Sequence, residues 1–256
     1  MRVLMIGDIV GRPGRDTVHE LLPNLRQELN IDLVIANGEN SAGGAGITKE
    51  SANQLLSSGV DVITSGNHIW DKKEIIPELD GNLPILRPLN YPPTNPGTGY
   101  IRLSNVLVVN LIGRVFVGSF DCPFRTMENL LKEVEDLPRI IIVDMHAETT
   151  SEKAALSWYF DGQISAIAGT HTHVPTADER ILPQGTAFVS DIGMVGPTNS
   201  IIGVEPKEVI QRFLTQTNSR FRVANDGPTK FNSVMIDIDE NTGKSTSIVR
   251  VDREIK

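Results

Sequence analysis

Residues 139–145 (Arg139-Ile140-Ile141-Ile142-Val143-Asp144-Met145) are apolar at nearly every position and lack the in–out alternation of a half-buried strand. Such a strand needs cover on both faces, which a parallel sheet wrapped by helices provides. Residues 2–6, 32–37, 59–65 and 164–168 are similar short apolar runs. Amphipathic patterns lie between them. Residues 15–29 place Val18, Leu21, Leu22, Leu25 and Leu29 on one helical face. Thr48 can cap a helix reaching about residue 58, and Thr149 with Glu152 has capping-box spacing for a helix to about residue 160. Apolar runs alternating with helices predict βαβ units, a parallel sheet and an α/β fold.

Residues 70–79 read as a short helix cut by Pro77. Residues 83–99, rich in Pro and Asn, read as a long loop of the kind that lines a site more often than it links domains. Short β-runs at 100–103, 106–111 and 115–117 predict meandering antiparallel strands. A helix follows at 124–136, with Met127, Leu130, Leu131 and Val134 in register. Residues 186–190 read as a strand, 191–197 as a stiff loop, and 206–215 as a helix with Pro206 at its start. A terminal hairpin is expected from 231–238 and 245–251 around 239–243. No repeat or linker interrupts the 256 residues, so one domain spanning 1–256 is expected.

The bulk properties remove several function classes. A net charge of −8 argues against broad nucleic-acid or membrane-surface binding, since both call for a basic patch. A phosphate-bearing substrate would then need a local cation, and bound metal is the obvious source. The single cysteine, Cys122, excludes an internal disulfide, fits a reducing compartment and has no nucleophile motif around it. The opening run from Val3 to Ile6 is too short for a signal-peptide core or a bilayer span. A cytoplasmic protein is expected, with a homo-oligomer left open. The glycines of residues 7–14 invite a dinucleotide reading, but they fall G-x-x-x-G-x-x-G, Pro13 removes an N–H, and Asp8 stands where a pyrophosphate would sit.

All five apolar runs end in a residue able to bind metal: Asp8, Glu39-Asn40, Asn67-His68, His146, and His171 with His173. The carboxyl ends of parallel strands share one edge, where ligands bind. Each item has a dull explanation alone. Asp8 could cap the next helix, Asn67 could serve a turn, and His146 could be a satisfied buried histidine. The pair His171 and His173, about 7 Å apart at Cα and on one side in extended backbone, is a modest signal. Their coincidence at one sheet edge is harder to explain blandly, and only His19 among the five histidines lies outside it. Carboxylate, amide oxygen and imidazole without thiolate suit Mn, Fe or Zn better than a soft-metal site. Seven candidate ligands are too many for one tetrahedral zinc and fit two ions sharing a carboxylate. Two ions about 3.5–4 Å apart can hold both oxygens of an in-line phosphoryl displacement and make hydroxide available near pH 7. The chemistry indicated is phosphoester hydrolysis, with His68 placed to protonate the leaving oxygen.

The series Gly7-Asp8, Gly38-Glu39-Asn40, Gly66-Asn67-His68, His146 and Gly169-Thr170-His171-Thr172-His173 resembles the calcineurin-like metallophosphoesterase superfamily. In detail it is similar to the YmdB-like branch, through Asp191-Ile192-Gly193-Met194 and the C-terminal hairpin. The superfamily usually carries a histidine two residues after the first aspartate, where this chain has Val10. It usually bridges its metals with aspartate, where this chain has Glu39, as the YmdB-like branch does. The resemblance implies a four-layer αββα sandwich with two mixed β-sheets. It also implies Asp8, Asn40 and His173 on one metal, Asn67, His146 and His171 on the other, Glu39 between them, and His68 as general acid. Phosphodiesterase activity on cyclic nucleotides follows from the same resemblance. The alternatives are a nucleotide phosphomonoesterase and a metal-containing regulatory binding protein. Residues 83–99, 121–125 and 191–197 are the candidate pocket walls; Arg125 could meet a phosphate, though a lone arginine is more often a solvated surface group.

Overall fold

The apolar runs become the inner strands of two sheets stacked face to face in the computed structural model, which describes residues 1–218 and 220–256. In chain order the elements are β1 (Arg2–Ile6), β2 (Asp8–Ile9), α1 (Gly11–Glu28), β3 (Leu33–Asn37), α2 (Lys49–Ser57) and β4 (Val62–Thr64). There follow α3 (Ile76–Leu79), β5 (Tyr100–Leu103), β6 (Val106–Ile112), α4 (Pro123–Glu133), β7 (Ile140–His146), α5 (Thr150–Tyr159) and β8 (Ala166–Thr170). The last part contains β9 (Arg180–Ile181), β10 (Ala187–Val189), β11 (Met194–Pro197), α6 (Pro206–Thr215), β12 (Thr229–Phe231), β13 (Ser233–Ile238), β14 (Ser245–Arg250) and β15 (Arg253–Ile255).

One sheet has the order β14-β13-β1-β3-β4, the other β5-β6-β7-β8-β10-β9. In the first, β1, β3 and β4 run parallel and β13 joins β1 antiparallel. In the second, β6, β7, β8 and β10 run parallel, with antiparallel β5 and β9 at the edges. Alternate residues of each inner strand build different layers. Val3, Met5, Leu33 and Ile35 meet Val106, Val108, Ile140 and Ile142 between the sheets. Leu4, Ile6 and Val34 face outward onto Val18, Leu22 and Leu55 of α1 and α2. Leu107, Val109, Ile141 and Val143 face Met127, Leu130 and Leu156 of α4 and α5 on the other side. The result is the expected helix–sheet–sheet–helix sandwich, and every residue of β7 is buried.

A third sheet, β15-β12-β11-β2, is added to the two expected. Its strand β11 occupies residues read as a loop: Met194 pairs with Asp8 and Val195 with Ile9, in parallel. Four other local readings are corrected. Helix α1 starts at Gly11 rather than residue 15, because Pro13 falls in the first turn, where its missing N–H has no helical partner to lose. Pro77 stands in the first turn of α3, after a 3₁₀ turn at Lys73–Ile75, and does not interrupt a longer helix. Residues 115–117 form turns instead of a strand, with Phe116 at a φ of 62°. Thr149 makes no side-chain cap to α5, since Glu152 accepts the backbone N–H groups of Arg114 and Val115 instead. Thr48, by contrast, caps α2 in a reciprocal box with Ser51.

Candidate metal centre

Parallel strands β1, β3, β4, β7 and β8 end on one edge, where Asp8 opens β2, His146 closes β7, and the loops after β3, β4 and β8 carry Glu39, Asn40, Asn67, His171 and His173. The His146 ring is the hub. Its Nε2 lies 3.1 Å from Glu39 Oε1, 3.2 Å from Asn67 Oδ1 and 3.0 Å from His171 Nδ1. One ligand atom from each of Glu39, His146 and His171 falls within 4.8 Å of the others. Asp8 Oδ2 accepts the backbone N–H of His171 at 3.0 Å, and Asp8 Oδ1 lies 3.8 Å from His173 Nε2. Glu39 Oε2 accepts the backbone N–H of His68 at 3.2 Å.

The glycines before these ligands mark close approaches. A Cβ on Gly66 would overlap the His146 ring and Glu39 Oε2, and one on Gly169 would overlap the Ser190 carbonyl. At the His-x-His the backbone differs from expectation. Strand β8 stops at Thr170, and His171 and His173 adopt φ of 102° and 64°, left-handed values rather than extended ones. Such backbone is costly for a non-glycine residue and persists only when its surroundings over-determine it. They do here. Asp191 Oδ2 accepts the Thr172 N–H at 3.1 Å, Asp8 holds the His171 N–H, and the Ile202 carbonyl accepts from His173 Nδ1 at 2.8 Å. The turn aims His171 at His146 and His173 at Asp8.

Each histidine has its outer nitrogen engaged, which fixes the tautomer. The Ile202 carbonyl can only accept, so His173 Nδ1 carries hydrogen and Nε2 offers its lone pair toward Asp8. His171 Nε2 meets the Glu148 carboxylate at 3.1 Å, leaving Nδ1 for the cluster. Thr170 Oγ1 donates to Asp144 Oδ1 at 2.7 Å, so its oxygen accepts from His146 Nδ1 at 2.9 Å. Asp144 is itself held by Thr64 Oγ1 and Asn37 Nδ2. Once His146 gives up its Nε2 hydrogen, lone pairs and carboxylate oxygens converge on one space, an arrangement a cation would neutralise. Two further atoms fit that reading: Asp8 Oδ1 and Asn40 Oδ1 are buried with no hydrogen-bond partner. Oxygens left so are rare without an ion or water.

The charges respond to this crowding. Burial pushes the Asp8 carboxyl up, against the pull of His173 and His146. Burial also opposes Glu39 ionisation, but His146 and His68 outweigh it and hold that carboxyl low. For His146 burial works against the proton, yet Glu39 and Asp8 win and raise it to about 9. Burial and the neighbouring His146 lower His171 to about 3, so it stays neutral.

A family model described as YmdB-like protein matches residues 4–251. The chain belongs to the YmdB-like family. Among YmdB-like relatives, a 2′,3′-cyclic-nucleotide 2′-phosphodiesterase of Bacillus subtilis (strain 168) is 47% identical over 255 residues, covering 98% of this chain and 96% of the relative. The crystal structure of a hypothetical protein from Thermus thermophilus superimposes with a TM-score of 0.94 at 43% identity, covering 99% of both chains. A structure described as a novel phosphatase from Mycoplasma pneumoniae gives 0.92 at 33% identity, covering 99% of this chain and 93% of that one.

Around the cluster stand groups to which the motifs assign no role. His68 Nδ1 lies 2.8 Å from Asp71 Oδ2, three residues on, and both side chains reach solvent. That i,i+3 spacing is present in the sequence, but the reading of residues 70–79 as a helix hides the turn that joins the two side chains. Asp144 and Thr170 lie inside the apolar runs, where only strand pairing reveals that both face His146. Lys153 and Asp191 form a fully buried ion pair at 2.7 Å behind the histidine turn. Val10, where the superfamily usually has histidine, is buried against Gly196 and Gly203. Cys122 is free and precedes α4, and Arg125 is exposed on that helix. His19 meets Ser58 Oγ at 3.2 Å, remote from the edge. Among the described residues no helix is long and apolar enough to cross a membrane.

Proposed function

We propose that this protein is a two-metal phosphodiesterase acting on cyclic nucleotides. The observation that carries the reading is the buried, unpartnered Asp8 Oδ1 near His146 and His173, with a second such oxygen on Asn40, next to Glu39, whose carboxylate meets the His146 ring. Asp8, Asn40 and His173 would hold one ion; Asn67, His146 and His171 would hold the other, with Glu39 shared. Oxygen and imidazole donors suit manganese or iron, with zinc next. Bound ions would supply hydroxide near neutral pH and withdraw charge from the phosphoryl oxygens.

The chain's own groups do the rest. Glu148, Thr170 and the Ile202 carbonyl keep each imidazole in the tautomer that ligates. Asp71 Oδ2 accepts from His68 Nδ1 and orients the ring, with Nε2 the atom that would give a proton to the departing sugar oxygen. The Bacillus subtilis relative, whose name specifies 2′,3′-cyclic nucleotides, supports that substrate class; 3′,5′-cyclic nucleotides are the further candidates. A phosphomonoesterase is the second reading, favoured by the Mycoplasma pneumoniae structure described as a phosphatase.

The metal-reconstituted protein should be assayed on 2′,3′- and 3′,5′-cyclic nucleotides, linear nucleotide monophosphates and a generic aryl diester. Hydrolysis of a cyclic nucleotide that disappears on chelation and returns with metal is expected. Turnover of monophosphates alone would replace this reading with the second one.

A further inference from the structure

Beside this cluster of carboxylates and imidazoles stands an aromatic wall that neither metal nor phosphate requires. Tyr91 sits between Trp70, at 5.5 Å and 84°, and Phe120, at 5.0 Å and 72°, both edge to face. The wall is anchored. Buried Asn90 donates Nδ2 to the carbonyls of Ile112 at 2.8 Å and Asp121 at 2.9 Å, and its Oδ1 accepts the Ile112 N–H at 2.9 Å. Ile112 ends β6 and is the register partner of His146, so the clamp fixes Tyr91 at the site's own edge. Trp70 and Tyr91 also pack on the core under α1 and α2. Burial drives the Tyr91 phenol up to about 12, against a hydrogen bond with Trp70 that lowers it. Past β6, Glu152 grips the N–H groups of Arg114 and Val115, and the loop tip leaves Phe116 89% exposed.

The proposed role of His68 gives this wall a direction. A proton donated to the departing sugar oxygen means that the ribose lies on the His68 side of the phosphorus. Trp70 follows His68 by two residues, so the wall begins where the group attached to that ribose must lie. A rigid aromatic surface there suits a flat, uncharged ring, and stacking on such a surface tolerates any base. We propose that Trp70, Tyr91 and Phe120 form a nucleobase subsite, with Phe116 at its rim; this rests on the phosphodiesterase reading above.

The test compares kcat/KM for adenosine 2′,3′-cyclic phosphate with that for ribose 2′,3′-cyclic phosphate, which has no base. In the metal-loaded wild type the nucleotide should be preferred at least roughly tenfold. Tyr91→Ala should cut that preference by roughly 5- to 100-fold, mainly through KM, as loss of one stacking contact implies. Tyr91→Phe, which keeps the ring, should retain it. If Tyr91→Ala loses turnover of both substrates, Phe120→Leu provides the same comparison. Wild-type turnover of both substrates at equal efficiency, or an undiminished preference in the variants, would overturn the subsite and leave the phosphodiesterase reading intact. Turnover of neither substrate by the wild type would overturn both.

Discussion

Lys153 Nζ lies 2.7 Å from Asp191 Oδ2 in a part of the molecule that solvent does not reach, directly behind the turn that carries His171 and His173. The same carboxylate accepts the Thr172 N–H at 3.1 Å and, through Oδ1, the Gly193 N–H at 2.9 Å. One buried ion pair thus braces both the histidine turn and the start of β11.

Removing one partner strands a charge in a dry interior, whereas replacing both with apolar groups does not. Asp191→Leu should cost about 3–5 kcal/mol in denaturant unfolding. The double variant Lys153→Met with Asp191→Leu should recover much of that loss. Metal affinity should not recover with it, because the Thr172 N–H is still released. A fall of roughly 10–100-fold is expected by equilibrium dialysis in both variants. Restored affinity in the double variant would show that the pair acts on stability alone.

His68→Ala should keep the full metal content and lose turnover by roughly 10²–10⁴-fold. Asp71→Asn should lose less, since it removes the partner that orients the acid but not the acid itself. Elemental analysis beside steady-state kinetics separates the two quantities. Unchanged kcat in His68→Ala would remove that residue from the proton-transfer step.

Without metal, His146 keeps its proton to about pH 9, so at neutral pH a cation must displace it. Calorimetric titrations at pH 7 in buffers of different ionisation heat should therefore reveal proton release. Apparent affinity should climb with pH and level off above about 9. The stability of the metal-free protein should move the opposite way. His146 holds its proton more tightly when folded, so its contribution is complete below its ordinary value of 6.5 and fades as pH rises to about 9. Binding heats independent of buffer would contradict this charge state.

Gly66→Ala should abolish metal binding. Its methyl would overlap both the His146 ring and Glu39 Oε2, and neither can retreat, because the Thr170 contact fixes the first and the His68 N–H fixes the second. Circular dichroism should remain native while elemental analysis falls to background. A variant that still binds metal would mean that the two side chains have more freedom than their contacts imply.

What could be read from the sequence, and what could not, divides along the range of the forces involved. Strand ends such as Ile6, Asn37 and His146 follow from local runs of apolar residues, so the edge bearing Asp8, Glu39, Asn67 and His146 was visible in the sequence. Helix α6 begins and ends at Pro206 and Thr215, as read, because proline sets its first turn. Residues that depend on distant partners carry no such local signal. Met194–Pro197 is a strand only because Asp8–Ile9 lies beside it, and Glu152 abandons a local cap for backbone groups 37 and 38 residues away. The left-handed turns at His171 and His173 are set by Asp8, Asp191 and Ile202, none of which is a sequence neighbour. Local periodicity carries no record of such partners.

The central claim, that seven side chains from five strand ends enclose two cations, is tested most directly by anomalous scattering from a manganese-loaded crystal. Two peaks are predicted, one touching Asp8, Asn40 and His173, the other touching Asn67, His146 and His171, with Glu39 reaching both. A single peak, or peaks that leave either Asp8 or His171 uncoordinated, would contradict it.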